Sequence, residues 1–162
     1  MEIPYIISII VFLPAVSGLL MMLIPGYKKK LFYKIALVIG LITFLLSVVV
    51  FVSYDIDAAG YQMIDQFEWL PALGINYYVA VDGISAPLVL LTGLVMFTGV
   101  IISQRIDDRP REFFAFLFLL ATGVFGVFVS LDMFVLFFFY EIAVFPMYIL
   151  IAVWGWKETR EY

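Results

Sequence analysis

No cysteine and no histidine occur anywhere in the 162 residues. The first absence removes disulfides, iron–sulfur clusters and thiolate zinc sites. The second removes haem and imidazole metal ligation within this chain. No Gly-rich loop of the phosphate-binding kind is present, and no basic patch that would follow a nucleic acid. Charge of either sign is scarce: 14% of residues are charged and 65% are hydrophobic. A soluble domain averages about 25% charged and about 45–50% apolar. The expected class is an all-α integral membrane protein with no cofactor or metal site of its own. The net charge of −4 says little about partners, because the charges are sorted by position.

What the chain has in abundance is long apolar runs. Five spans are expected, near Tyr5–Ile24, Leu31–Tyr54, Ile84–Ser103, Phe113–Val129 and Met133–Trp154. At ~1.5 Å per residue each covers about 25–36 Å, enough for a hydrocarbon core of ~30 Å with some tilt. Pro25-Gly26 closes the first. Only Met1–Pro4 precede it, with no basic n-region and no small-residue cleavage site. It is expected to be a retained helix rather than a signal peptide.

The nine Lys and Arg residues set an orientation. Lys28, Lys29, Lys30 and Lys34 flank the first turnaround, Arg105, Arg109 and Arg111 lie in the third connection, and Lys157 and Arg160 in the tail. Five alternating spans put all of them on one side. The other side receives Glu2, Asp55, Asp57, Asp65, Glu68, Asp82 and Asp132. The positive-inside rule then gives an N-terminus outside and a C-terminus in the cytoplasm. The one long outer loop, 55–83, holds two aromatic and β-branched stretches, Gln62–Leu70 and Ile75–Val81, separated by Pro71-Ala72-Leu73-Gly74. That pattern predicts a short β-hairpin on the outer face, with Trp69, Tyr77 and Tyr78 as interfacial anchors.

Glu141 is the one acid that falls inside a span. It is the only charge within Met133–Trp154, about nine residues past Asp132 and therefore ~14 Å below the outer end. A carboxyl near the bilayer centre costs about 2.5–3.5 kcal/mol on insertion scales, and each apolar neighbour returns about 0.3–0.6. The helix still inserts, so tolerance is explained and purpose is not. The default reading of an intramembrane acid is a proton or ion pathway, set against a structural acid bonded to a neighbouring helix. A carboxyl alone in hydrocarbon keeps its proton, and a cation beside it favours the charged form, so a Lys that comes and goes makes a switch. No Lys or Arg of this chain is expected at that depth, so any such partner comes from another segment or subunit. Pro146, five residues on, cannot donate to the Ile142 carbonyl. It is read as a helix kink near the path, an ordinary feature of membrane helices. Asp82 and Asp132 suit helix N-caps. Thr122 and Gly126 form a small-xxx-small pair that predicts close helix packing. Lys34 is expected to snorkel to the interface, and Arg105–Glu112 to be a solvated turn.

At this point a family resemblance becomes visible. WLPALGINYYVAVDGISAPLVLLT (Trp69–Thr92) is similar to the stretch before the third helix of the antiporter-like subunits of respiratory complex I. SLDMFVLFFFYEIAVFPMYILIAVWG (Ser130–Gly155) resembles the fifth helix of the subunit M (ND-four) type, and Phe-Tyr-Glu followed by Phe-Pro-Met-Tyr (Phe139–Tyr148) is close to that type's pattern. The resemblance implies the start of a 14-helix fold in the Mrp antiporter superfamily. Residues 1–112 would supply three peripheral helices with outer loop 55–83, and residues 113–162 the first two helices of the first antiporter-like repeat. It implies a part in proton translocation by NADH:quinone oxidoreductase, with Glu141 pairing a Lys on the seventh helix. That Lys has no counterpart in this sequence, so a fragment or a split subunit completed by other helices is expected. NADH, FMN, iron–sulfur clusters and quinone would lie in partner subunits of the membrane-bound assembly. The expected location is a bacterial or archaeal plasma membrane, with an organelle inner membrane or the thylakoid as alternatives. Alternative functions are an Mrp-type cation/proton antiporter subunit, a related ferredoxin-, deazaflavin- or hydrogenase-linked complex, and a structural membrane scaffold.

Overall fold

A computed structural model describes residues 4–25, 29–58 and 60–155. Glu2, Gly26, Lys28, Lys157 and Arg160, all used above, lie outside the described residues. Five helices and one hairpin follow in the order α1 (Ile6–Met22), α2 (Lys29–Ser53), β1 (Gln62–Leu70), β2 (Ile75–Val81), α3 (Ser85–Ile102), α4 (Pro110–Val129) and α5 (Met133–Trp154). The chain is thus mostly helical, with α2 to α5 each long and apolar enough to cross a membrane. α1 is equally apolar but shorter, at 17 residues, or ~26 Å of helix. Helix is the natural outcome for such runs, because it satisfies every backbone group without water.

α4 is the centre of the bundle. It packs extensively on α5 and α1, while α2 packs on α3. Small residues set these contacts. A β-carbon added at Gly123 would stand 2.7 Å from the Ala143 Cα and 2.8 Å from its Cβ, and one at Gly126 would enter the Phe139 ring. Gly18 on α1 sits against Ala115 and Phe118 of α4, and Gly93 on α3 against Ser47 of α2. Gly126 therefore lies at a close helix contact, and Gly123 lies at it too. Thr122 is buried, and its hydroxyl has no hydrogen-bond partner among the described residues.

The hairpin occupies the segments read from the sequence. β1 and β2 run antiparallel, with Asp65 opposite Val79 and Phe67 opposite Tyr77. A 3₁₀ turn at Pro71–Leu73 joins them, and Gly74 ends it at φ 68°, a conformation glycine adopts without strain. Trp69 packs edge-on against Phe134 and Phe138 of α5, and Tyr77 packs beside Phe12 and Phe67. These aromatic side chains dock the hairpin onto α1 and α5. At α4 the helix begins at Pro110 rather than Phe113. Proline is pre-organised for the first helical position and has no N–H to leave unpaired there. The connection expected across Arg105–Glu112 is accordingly shorter, with Ser103–Arg105 forming a 3₁₀ turn.

Candidate functional site

The hairpin packs on one end of α1, α4 and α5. The Asp65 carboxylate accepts from the Ser8 amide at 2.9 Å and from the Ser8 hydroxyl at 2.7 Å. Ser8 lies in the first turn of α1, whose N-cap, Tyr5, makes no side-chain cap bond. Asp65 thus supplies from β1 the acceptor that the start of α1 lacks, and it is 5% exposed. The Tyr77 hydroxyl donates to Ser8 Oγ at 3.2 Å, and burial pushes that phenol above its usual value. On the other side of the hairpin, the Leu131 amide donates to the Tyr78 carbonyl at 2.9 Å.

Asp132 sits at the N-cap of α5. Its Oδ1 accepts from the Phe134 and Val135 amides at 2.8 and 3.2 Å. The N-cap position of α3 is Ile84, which makes no side-chain cap bond, and Asp82, two residues before it, holds the start of the helix in a reciprocal arrangement. The Asp82 Oδ1 accepts from the Ile84 and Ser85 amides at 3.0 and 2.7 Å, while the Asp82 amide donates to Ser85 Oγ at 2.8 Å. The Ser85 amide, first among these bonds, holds the Asp82 carboxyl below the usual carboxylate range. Both aspartates are engaged with helix starts at the hairpin end, which also carries Asp55, Asp57, Asp65 and Glu68 and no described Lys or Arg.

At the opposite end stand Lys29, Lys30, Lys34, Arg105, Arg109 and Arg111. Arg111 pairs with Glu112 at 2.6 Å and donates to the Ile24 carbonyl beyond the end of α1 at 3.4 Å. The Trp154 indole N–H donates to the Asp108 carbonyl at 2.8 Å. The charge sorting read from the sequence is thus an axial polarity of the bundle.

Glu141 falls between these ends. α5 is the least covered of the long helices, with only Val135, Phe139 and Pro146 buried. Glu141 is exposed, and its carboxyl makes no hydrogen bond or ion pair among the described residues. The residues one turn away on its face are Phe137, Phe138 and Phe145, with Tyr148 a turn further, and all four are exposed. One acid stands in the middle of a lateral aromatic stripe. Pro146 is buried and lies about 140° around the helix from Glu141, so the two residues share a helix but not a face. The caps lie at the hairpin end, Asp132 being ~14 Å along α5 from the acid. No group of three or more Asp or Glu side chains that could hold a metal ion forms among the described residues. The tie between Asp65 and Ser8 and the tie between Trp154 and Asp108 had no signal in the sequence. Each joins residues far apart in the chain, and neither makes a recognisable local motif.

No family model matches the chain. Individual proteins do. The chain is 41% identical over 160 residues to NAD(P)H-quinone oxidoreductase chain 4 3 of Picosynechococcus, covering 98% of this chain and 29% of that protein. It is 40% identical over 151 residues to chain 4-2 of Synechocystis, covering 93% and 27%. Among solved structures it is similar to respiratory complex I from Thermus thermophilus with bound NADH, at a TM-score of 0.75 and 25% identity, over 91% of this chain and 29% of the matched one. It shares its fold with a chain of the membrane-bound sulfane sulfur reductase, an archaeal respiratory membrane complex, at a TM-score of 0.70. The chain therefore spans under a third of the length of the proteins it matches.

Proposed function

We propose, from the chain's homology to chain 4 of NAD(P)H-quinone oxidoreductase over nearly its whole length, that it forms the opening helices of a proton-translocating membrane subunit in an assembly of the complex I type. All five helices cross the bilayer, α1 being the shortest. The basic end faces the cytoplasm or its equivalent and the hairpin faces outward, in accord with the positive-inside rule. Residues 1–112 form the peripheral part and residues 113–162 open the first antiporter-like repeat of a 14-helix subunit. The membrane is an energy-coupling one, plasma or thylakoid. Nicotinamide, flavin, iron–sulfur clusters and quinone belong to partner subunits.

Glu141 is the proton-carrying group in this reading. The observation that carries it is the exposure of that acid on an otherwise aromatic lateral face of α5, with no partner among the described residues. An acid placed there is positioned to meet a cation from a helix that docks laterally, and the remaining two thirds of the subunit supply such helices. When a Lys approaches, the carboxyl gives up its proton to water and the resulting carboxylate is stabilised by the cation. When the Lys withdraws, the carboxyl is reprotonated. Redox events in the partner subunits bias this two-state pair, so that coupling is a free-energy link between distant sites. Asp82 and Asp132 serve as caps and Pro146 as a kink, and none of the three carries the proton.

The test is Glu141→Gln in the complete complex. Assembly and quinone reduction by artificial donors should persist, while proton translocation falls at least tenfold. Glu141→Asp, which keeps a shortened carboxyl, should retain a larger share. A Gln variant with an unchanged proton-to-electron ratio would remove Glu141 from the path and favour the scaffold reading.

A further inference from the structure

We propose that the C-terminal half of α5 is a latched arm, hinged at Pro146 and clasped at Trp154, whose opening admits water from the basic end to the freed Ile142 carbonyl beside Glu141. The proposal rests on the reading of Glu141 as the proton carrier. α5 is fastened unevenly. Above Pro146, Phe139 lies on Gly126 and Ala143 on Gly123, and the helix start is capped by Asp132. Below Pro146, none of the residues Met147–Trp154 is buried. Met147, Tyr148 and Ile151 are exposed by 45%, 72% and 55%.

The hinge follows from covalent chemistry. Pro146 has no N–H for the Ile142 carbonyl and crowds it, so the two halves lack one rung of the ladder at that level. Sharp helix bends concentrate at such prolines. That freed carbonyl lies one residue past Glu141, and a polar group of that kind recruits water once a path reaches it.

The clasp is a compact cluster at the arm's tip. The Trp154 indole donates to the Asp108 carbonyl at 2.8 Å. The Phe113 ring meets the indole edge-on at 5.5 Å, and the Arg109 guanidinium lies 5.6 Å from its centroid. Arg109 holds a left-handed conformation, φ 46° and ψ 54°, rare for a non-glycine residue. The loop that presents the acceptor thus has its own strained residue beside the clasp. The arm from Pro146 to Trp154 is ~12 Å long, so a bend of about 10° moves the indole by ~2 Å. That displacement breaks a hydrogen bond of this length. A small hinge motion therefore has two distinct ends, clasp made and clasp broken.

The experiment uses the complete complex in sealed membranes, with Val144→Cys as reporter. Val144 is half-buried, lies between Glu141 and the hinge, and this chain contributes no other thiol. The probe is a membrane-impermeant maleimide applied from the basic side, read by mass on the peptide that carries residue 144. Trp154→Phe removes the indole donor and keeps a ring. Loss of one net hydrogen bond should raise the open-to-closed ratio, and with it the labelling rate, by about 2- to 12-fold. Adding Pro146→Ala restores the missing rung and should return the rate to that of the reporter alone. Equal labelling with Trp154 and with Phe overturns the clasp, and an increase untouched by Pro146→Ala overturns the hinge. Labelling does not depend on transport. If the rates shift as stated while Glu141→Gln pumps normally, the arm stands and the proton role falls. If Glu141→Gln abolishes pumping while labelling stays flat, the reverse holds.

Discussion

Gly126→Ala tests the packing that orients the acid. The added β-carbon would fall inside the Phe139 ring, and Phe139 is 1% exposed. The ring has little room to yield, since its neighbours include the rings of Phe12 and Phe138. Overpacking of this kind costs about 1–3 kcal/mol. The upper half of that range is expected, because the clash is with a ring and not with the end of a flexible chain. The strain is relieved by pushing α5 off α4, which displaces Glu141 two residues along. The midpoint of unfolding in mixed detergent micelles should drop accordingly. Phe139→Leu alone leaves a gap and should also destabilise. The double variant should regain more than 1 kcal/mol relative to the sum of the singles, which is the coupling expected of residues in direct contact. Additive losses would mean that the two side chains do not meet, and the assignment of the α5 face would be wrong.

Other consequences follow from the hairpin end. Asp65→Ala leaves the Ser8 amide and hydroxyl without their acceptor and should cost about 1.5–3 kcal/mol, as for hydrogen bonds to a charged group. Asp65→Asn, which keeps an acceptor, should lose less in the same unfolding assay. Asp82 gives a pH dependence with a definite sign. Its folded-state value lies below the unfolded one, so its stabilisation is complete above the unfolded value of about 3.9 and is lost as pH falls through the lower folded value. Amide exchange at Ile84 and Ser85 should accelerate below that window. In Asp82→Asn the rates should show no such step beyond the intrinsic pH trend.

Much of this architecture was legible because the signals were local. The hairpin strands showed as aromatic and β-branched stretches around Pro71-Ala72-Leu73-Gly74. Glu141 stood out as a single charge in an apolar run. The azimuth of α5 was not legible. Apart from Glu141 its residues are almost all apolar on every side, so no hydrophobic face distinguishes the packed surface from the open one. The choice is made by α4, where Gly123 and Gly126 cut a groove that admits Ala143 and Phe139. The four-residue spacing of Thr122 and Gly126 predicts close packing, but spacing alone does not say which small residue faces which helix. The Trp154 clasp was hidden for a different reason. Its acceptor is a backbone carbonyl 46 residues away, and a carbonyl has no residue type to betray it.

The position of Glu141 also bears on why the acid lies on the edge helix and on its open face. Turned towards α4, the carboxyl would enter the seam where Gly123 and Gly126 already touch α5. A polar group sealed there without a partner costs about 1–3 kcal/mol, more if charged, and it could not meet a helix docking on the open side of α5. Turned outward, the same acid leaves the α4–α5 seam intact. On the proposed function, its desolvation penalty, about 2.5–3.5 kcal/mol in lipid, would then fall on the unassembled piece and be relieved by a cationic helix docking there. Replacing Glu141 by Leu should therefore improve membrane insertion of residues 1–162 expressed alone, while weakening their association with the remaining helices supplied in trans. Improved insertion with undiminished association would show that the acid does not face its neighbour, and would return Glu141 to the role of a tolerated anomaly.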